Sequence, residues 1–349
     1  MVTLRRLSSN LLVQINRATD RTLALPILIF FPTARCNSRC ISCDWWKADG
    51  AGDLTLDEIR RLTDELPRLG TRLVIFSGGE PTLRRDLYEI AGLFRGRGVR
   101  LHLLTSGLSL ERDAQAIVRH FEDVTISLDG HSPALYREIR GVDGLGAIER
   151  GVKRVKAMAP QLKLRARSTL HRRNFDTMAQ LVDRAHAMGL DGISFLTADV
   201  TSDAFGRTPG PADAVPEARG LLLDADEVKR FTSVVEGLIA SHARDLESRF
   251  IAESPDKLRR LPAYFAAQLG LGPFPEPRCN APWASAVVEA DGAVRPCYFH
   301  PAVGNIRRAG LREILSSEMV AFRRGLDVAS NATCRRCVCT LQVGLRTPL

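Results

Sequence analysis

The stretch ILIFFPTARCNSRCISC, residues 27–43, runs from five apolar residues into three cysteines spaced C-x-x-x-C-x-x-C. Ile27 to Phe31 reads as a strand, and Cys36, Cys40 and Cys43 follow its end. Three thiolates hold only three corners of a four-iron cube, which leaves one iron open to a small chelating molecule. A zinc knuckle, or three buried thiols packed as small hydrophobes, are the competing readings. Closed zinc sites want four ligands, and this run offers no fourth nearby.

Outward from that stretch the chain alternates between two periodicities. Thr55, with Glu58 three residues on, has the capping-box pattern and opens a helix through about Leu66. Leu73–Phe76 reads as a second strand and residues 87–94 as part of a second helix. Further strands fit 99–104, 124–128, 162–168 and 192–196, and 175–187 is the last helix between them. Six such units predict an α/β fold, a partial, open (β/α)6 TIM-like barrel. Ligands gather at the carboxyl ends of barrel strands, which is where residues 36–43 fall.

The 349 residues are 45% hydrophobic and 26% charged, ordinary for one large soluble domain with an appendage. No apolar run reaches the ~18 residues of a membrane span, and no cleaved signal pattern opens the chain. A cytoplasmic location is the expectation. The net charge of +9 is spread along the chain, and aromatics are only 6%, so no nucleic-acid partner is expected. Leu4, Leu7, Leu11, Leu12 and Ile15, interleaved with Arg5, Arg6 and Arg17, form an amphipathic helix. It lies on a membrane surface or, as favoured here, covers the bottom of the barrel.

Eight cysteines in a reducing compartment are not read as disulfides. Three lie at 36–43 and five between 279 and 339, which points to two metal-ligand groups. Residues 200–220, with Thr208, Pro209, Gly210, Pro211 and Pro216, read as a loop. Helical stretches follow near 224–242 and 255–269, and a Pro-rich junction precedes a cysteine-rich α+β domain. The expected divisions are residues 1–24, the N-terminal helix; 25–222, the barrel; 223–277, a helical connector; and 278–349, the C-terminal domain. In the last, Asp291-Gly292 is a hairpin signal that returns Cys297 towards Cys279.

After the second strand stands Ser77-Gly78-Gly79-Glu80-Pro81, glycines that allow close backbone approach and an acidic acceptor for an ammonium group. Joined to the cysteine run one unit earlier, it makes residues 24–200 resemble the radical S-adenosylmethionine (SAM) superfamily. The resemblance implies a [4Fe–4S] cluster on Cys36, Cys40 and Cys43, with SAM on the open iron. It implies that Gly78, Gly79 and Glu80 hold the SAM amino group, with Ser127 and Asp129 of a Ser-Leu-Asp-Gly segment nearby and Arg140 as carboxylate partner. Trp45 stands near the adenine region, although the usual aromatic position falls at Ile41 or Ser42. One electron cleaves SAM to a 5′-deoxyadenosyl radical, which abstracts hydrogen from an unactivated carbon.

Cys279-x12-Gly292-x4-Cys297, then Cys334-x2-Cys337-x-Cys339, resembles the C-terminal SPASM module and its shortened form, twitch. Five cysteines imply one auxiliary [4Fe–4S] cluster on Cys279, Cys297, Cys334 and Cys337, with Cys339 the alternate. Zinc is the other reading of four thiolates. Arg323, Arg324, Arg335 and Arg336 are expected to offset the thiolate charge, and Tyr298, the catalytic candidate, and His300 to face substrate. The expected reaction is hydrogen abstraction from a natural-product or metabolite precursor, then oxidation through the auxiliary cluster. Only 35 residues precede Cys36, which favours a small-molecule or lipid-linked substrate over a peptide. Cross-linking or epimerisation of a ribosomal peptide is the alternative, and a non-catalytic iron–sulfur or zinc scaffold a further one. A reducing donor such as flavodoxin or ferredoxin is the expected partner.

Overall fold

The computed structural model describes residues 4–202, 204–207 and 220–347, with side chains from residue 9 onward. Thr208, Pro209, Gly210, Pro211 and Pro216 of the expected loop lie outside the described residues, as do the side chains of Leu4, Arg5, Arg6 and Leu7.

Six parallel strands form the framework: β1 (Ile27–Phe30), β2 (Leu73–Phe76), β3 (Arg100–Thr105), β4 (Asp123–Ser127), β5 (Lys163–Leu170) and β6 (Ile193–Thr197). They lie side by side in chain order, an open barrel of α/β type. Helices return the chain between them: α1 (Leu4–Thr19) precedes the first strand. Then come α2 (Leu56–Leu69), α3 (Leu87–Arg95), α4 (Leu110–His120), α5 (Pro133–Arg140), α6 (Leu145–Met158) and α7 (Met178–Ala187). The capping box opens α2 as expected: the Glu58 N–H donates to Thr55 Oγ1, and the Thr55 N–H to Glu58 Oε2 at 2.7 Å.

Alternation along each strand divides its side chains between two faces. On β5, Leu164, Ala166 and Leu170 enter the core under the helices, while Arg165, Arg167 and Thr169 turn to the interior. On β1 both faces are apolar. Leu28 and Phe30 join the helix-covered core, and Ile27, Ile29 and Phe31 pack inside with Val13, Val287 and Val343. One side of the barrel interior is therefore greasy and the other polar.

Helix α1 closes the base as favoured above. Val13 is fully buried, and Asn16 donates to the carbonyls of Ala24 and Trp283. Asn10 and Gln14 reach carbonyls of the C-terminal segment, at Leu345, Thr347 and Val343. Among the described residues no helix is long and apolar enough to cross a membrane.

Past α7 the chain makes α8 (Ala225–Ser241), α9 (Ala243–Glu247) and α10 (Pro255–Gln268). The C-terminal segment then adds α11 (Ala281–Ala284), β7 (Ser285–Val288), β8 (Ala293–Arg295), β9 (Gly304–Asn305), α12 (Leu311–Ser316), α13 (Glu318–Arg324) and α14 (Ala332–Arg335). Asp291-Gly292 makes the expected reversal, with Gly292 at φ +85° and Val288 opposite Val294. Beyond expectation, β7 pairs in parallel with β1, Ile27 opposite Ser285 and Phe30 opposite Val288. The cysteine-rich segment thus continues the barrel sheet on the side away from β2. Arg323 departs from its expected role: it is 1% exposed and binds the Pro282 and Asp20 carbonyls and Thr22. It ties α13 to the base of the barrel rather than lying along the cysteines.

Candidate functional site

A cleft of about 240 Å³ opens at the carboxyl ends of the strands, with Cys36, Cys40 and Cys43 in its wall. The loop carrying them is fixed by backbone bonds to the turn after β2. The Gly79 N–H donates to Thr33 O, and the Glu80 N–H to Arg35 O at 2.7 Å. Approach this close excludes side chains. A Cβ on Gly79 would lie 2.1 Å from Arg35 O, and Gly78 sits at φ +100° against Phe31. The paired glycines therefore seat the segment that leads into Cys36. Gly79→Ala is expected to cost about 1–3 kcal/mol as the two backbones part. Gly92→Ala on α3, which meets nothing within 4 Å, is expected to be neutral or slightly stabilising; urea midpoints of the two variants check this.

Glu80 is 1% exposed and locked by neutral donors. Oε1 accepts from Thr82 Oγ1 (2.6 Å), Thr82 N (3.2 Å) and Thr105 Oγ1 (2.7 Å), and Oε2 from Ser106 N at 2.6 Å. No cation pairs with it among the described residues, so its charge is available to a ligand cation in the cleft. Ser127 stands in the same wall at the end of β4. Asp129, two residues on, is buried. Its Oδ2 accepts from Arg140 Nη1 at 3.0 Å and its Oδ1 from Thr169 N at 2.7 Å.

Arg140 ends α5 and faces the cysteines. Burial opposes its charge, but the ion pair with Asp129 at 3.0 Å keeps the guanidinium protonated. Its Nε is buried without an acceptor. The same helix end anchors the cysteine loop, since Arg39 N donates to Arg140 O and Ile41 N to Ile139 O. Burial pushes the Cys36 thiol up to about 11 and Cys43 to about 12, and raises Cys40 too, against the pull of Arg140. Thiols so placed become anionic only when a metal takes the proton's place. A buried cationic neighbour with an unused N–H suits an anionic, thiolate-held group.

Past β6 the chain supplies a clamp that the sequence reading missed. Asp199 and Arg207 form a buried pair at 2.9 Å, and Arg207 Nη2 donates to Ser42 O at 2.8 Å. Asp44 N donates to Phe205 O, and Phe205 holds φ +66° to reach it. Composition marked 200–220 as a loop. The available signal was an aspartate just beyond a strand's carboxyl end.

The five C-terminal cysteines line one cavity of about 70 Å³: Cys279, Cys297, Cys334, Cys337 and Cys339. Burial raises Cys297 to about 12 and Cys334 to about 11. Tyr298, Phe299 and Cys339 line this cavity and the barrel cleft alike. Tyr298 stacks on Phe31 at 6.1 Å, and burial lifts its hydroxyl to about 12 against a hydrogen bond with Ser77. Trp45 also lines the cleft, edge-on to Phe31 at 5.8 Å. His300 differs from expectation. It turns away from the cleft into the C-terminal cavity, with Nε2 3.3 Å from Cys334 Sγ.

Residues 30–185 match the model of the radical SAM superfamily, and 279–338 match SPASM, an iron–sulfur cluster-binding domain. The chain is 36% identical over 132 residues to a probable GTP 3′,8-cyclase of Thermococcus kodakarensis, a match covering 37% of this chain and 43% of that protein. It is 30% identical over 175 residues to a PqqA peptide cyclase of Rhodopseudomonas palustris, covering 49% and 46%. Such matches span less than half the length of these relatives. Among solved structures, Streptococcus suis SuiB bound to S-adenosylmethionine superposes with a TM-score of 0.63 at 15% identity, covering 95% of this chain and 76% of that one. The protein anSMEcpe with bound AdoMet gives 0.63 at 17%, covering 89% and 86%. These likenesses establish the fold. The family's cofactors are a [4Fe–4S] cluster and SAM, with auxiliary iron–sulfur binding in the SPASM domain. The chain carries a radical SAM domain and a C-terminal SPASM-type iron–sulfur module.

Proposed function

We propose that Cys36, Cys40 and Cys43 hold a [4Fe–4S] cluster with one open iron, and that Gly78, Gly79, Glu80, Ser127, Asp129 and Arg140 hold SAM beside it. In the same reading Cys279, Cys297, Cys334 and Cys337 hold one auxiliary cluster, Cys339 being the alternate ligand, and Tyr298 faces the substrate. The division into 1–24, 25–222, 223–277 and 278–349 belongs to this reading, as does a cytoplasmic location. Bound together, cluster and SAM supply a 5′-deoxyadenosyl radical, which takes a hydrogen atom from a natural-product or metabolite precursor.

The chain's own residues do the rest. Glu80, unpaired and buried, attracts the ammonium group of SAM; Arg140, held by Asp129, neutralises negative charge beside Cys40 and Cys36. Trp45 and Tyr298, both packed on the buried ring of Phe31, wall the cleft and keep water from a reactive carbon. The observation that carries the oxidative outcome is the shared wall of Tyr298, Phe299 and Cys339. A substrate in the cleft there stands between the two cysteine sets, so an electron can leave it towards the C-terminal group. Flavodoxin or ferredoxin is the proposed source of the reducing electron.

Peptide modification stays as the second reading because SuiB binds its precursor peptide SuiA and anSMEcpe binds the peptide Cp18Cys in solved structures of the same fold. The test is anaerobic reconstitution with iron and sulfide, then SAM and dithionite. About eight irons per chain and formation of 5′-deoxyadenosine are expected. Four irons with zinc alongside would return the C-terminal module to a structural role; no 5′-deoxyadenosine would remove the enzyme reading.

A further inference from the structure

His300 is 4% exposed in the wall of the C-terminal cavity, and its Nε2 lies 3.3 Å from Cys334 Sγ. The ring meets Phe322 edge-on at 4.9 Å, which limits its swing. Its carbonyl accepts Arg295 Nη1 at 3.1 Å, and Arg295 pairs in turn with Glu289 at 2.9 Å. Side chain and backbone are thus both held, and the ring is aimed at one sulfur.

We infer that His300 is a positioning residue that donates a hydrogen bond from Nε2 to the Cys334 sulfur and raises the reduction potential of the C-terminal cluster. This rests on the reading that those cysteines hold a cluster. A ligand thiolate has lone pairs and no proton, so the ring must supply the hydrogen. A neutral imidazole carries one N–H, and the geometry assigns it to Nε2. An N–H···S bond draws electron density from the thiolate and eases addition of an electron to the iron it binds. A C-terminal cluster tuned upwards accepts an electron from a substrate radical more readily.

The test uses the full-length chain, reconstituted anaerobically, as His300→Leu and His300→Gln. Redox titration followed by electron paramagnetic resonance reads the potential, and metal analysis reads the iron. A Cys36→Ala/Cys40→Ala/Cys43→Ala chain assigns the C-terminal signal. His300→Leu keeps the apolar contact with Phe322 and is expected to retain iron while its C-terminal signal moves to more negative potential. His300→Gln, whose amide restores an N–H, is expected to move less than half as far. An unchanged potential in His300→Leu overturns the inference, as does loss of one cluster's iron, which would make His300 a ligand. If the unsubstituted chain shows no C-terminal cluster signal, the failure lies in the underlying reading and takes the inference with it.

Discussion

The Cys36→Ala/Cys40→Ala/Cys43→Ala chain is expected to lose 5′-deoxyadenosine formation by about a thousandfold or more, which is roughly 4 kcal/mol of barrier or greater. Its iron should fall by one cluster, and its C-terminal iron should stay. The two halves of the expectation have separate causes. The first follows from the donor set, since among the described residues the cleft's lining holds one further sulfur, that of Cys339, which also lines the C-terminal cavity. The second follows from the architecture. The C-terminal module is attached by β7 on β1 and by the α1 contacts to Val343, Leu345 and Thr347, none of which uses these thiols. Circular dichroism of the variant should therefore match the unsubstituted chain. Residual SAM cleavage above the protein-free control would place the reactive cluster elsewhere.

The same separation explains what could be read from sequence. Local signals survived well because their physics is local. Thr55 and Glu58 made their reciprocal bonds, Asp291-Gly292 turned the chain, and β2 occupies residues 73–76 as expected. Expected strands elsewhere shifted by a residue or two at their ends, where fraying and turn geometry decide the boundary. The division of the cysteines into two groups was legible too: Cys36, Cys40 and Cys43 line the barrel cleft, and the five between 279 and 339 line one cavity. What escaped was set by distant partners. The β1–β7 pairing joins residues some 258 apart, and an apolar run does not announce which neighbour it will take. Arg207 lay in a Pro/Gly-rich stretch whose composition spoke only of a loop, yet its guanidinium closes on Ser42. His300 sits two residues past Tyr298 in an irregular segment, where no strand alternation tells which way a side chain turns. Only its neighbour Cys334, 34 residues on, gives it a role. Arg323 departs from expectation for the same reason: a charge near cysteines in sequence need not lie near them in space, and this one binds Pro282, Asp20 and Thr22.

Arg140→Leu is expected to destabilise the chain by about 3–5 kcal/mol, because it strands the buried Asp129 without its cation. The two side chains are 14% and 5% exposed, so water cannot replace the lost partner. Asp129 would keep one bond, from Thr169 N, which satisfies a lone pair but does not neutralise a charge. The backbone contact from Arg39 N to Arg140 O does not need the side chain, so helix α5 should still hold the cysteine loop. The loss is thus electrostatic, and a cycle isolates it. Arg140→Leu/Asp129→Leu should recover most of the stability in urea unfolding, since neither variant side chain leaves a charge behind. Run in the Cys36→Ala/Cys40→Ala/Cys43→Ala background, the cycle reads the Arg140–Asp129 pair alone. Run in the reconstituted chain, the double variant should regain stability but hold N-terminal iron less well, because the thiolates have lost their nearest cation. If the double variant is no more stable than Arg140→Leu, the stranded charge is not the cause, and the guanidinium stabilises the barrel by its packing against Tyr136 and the loop.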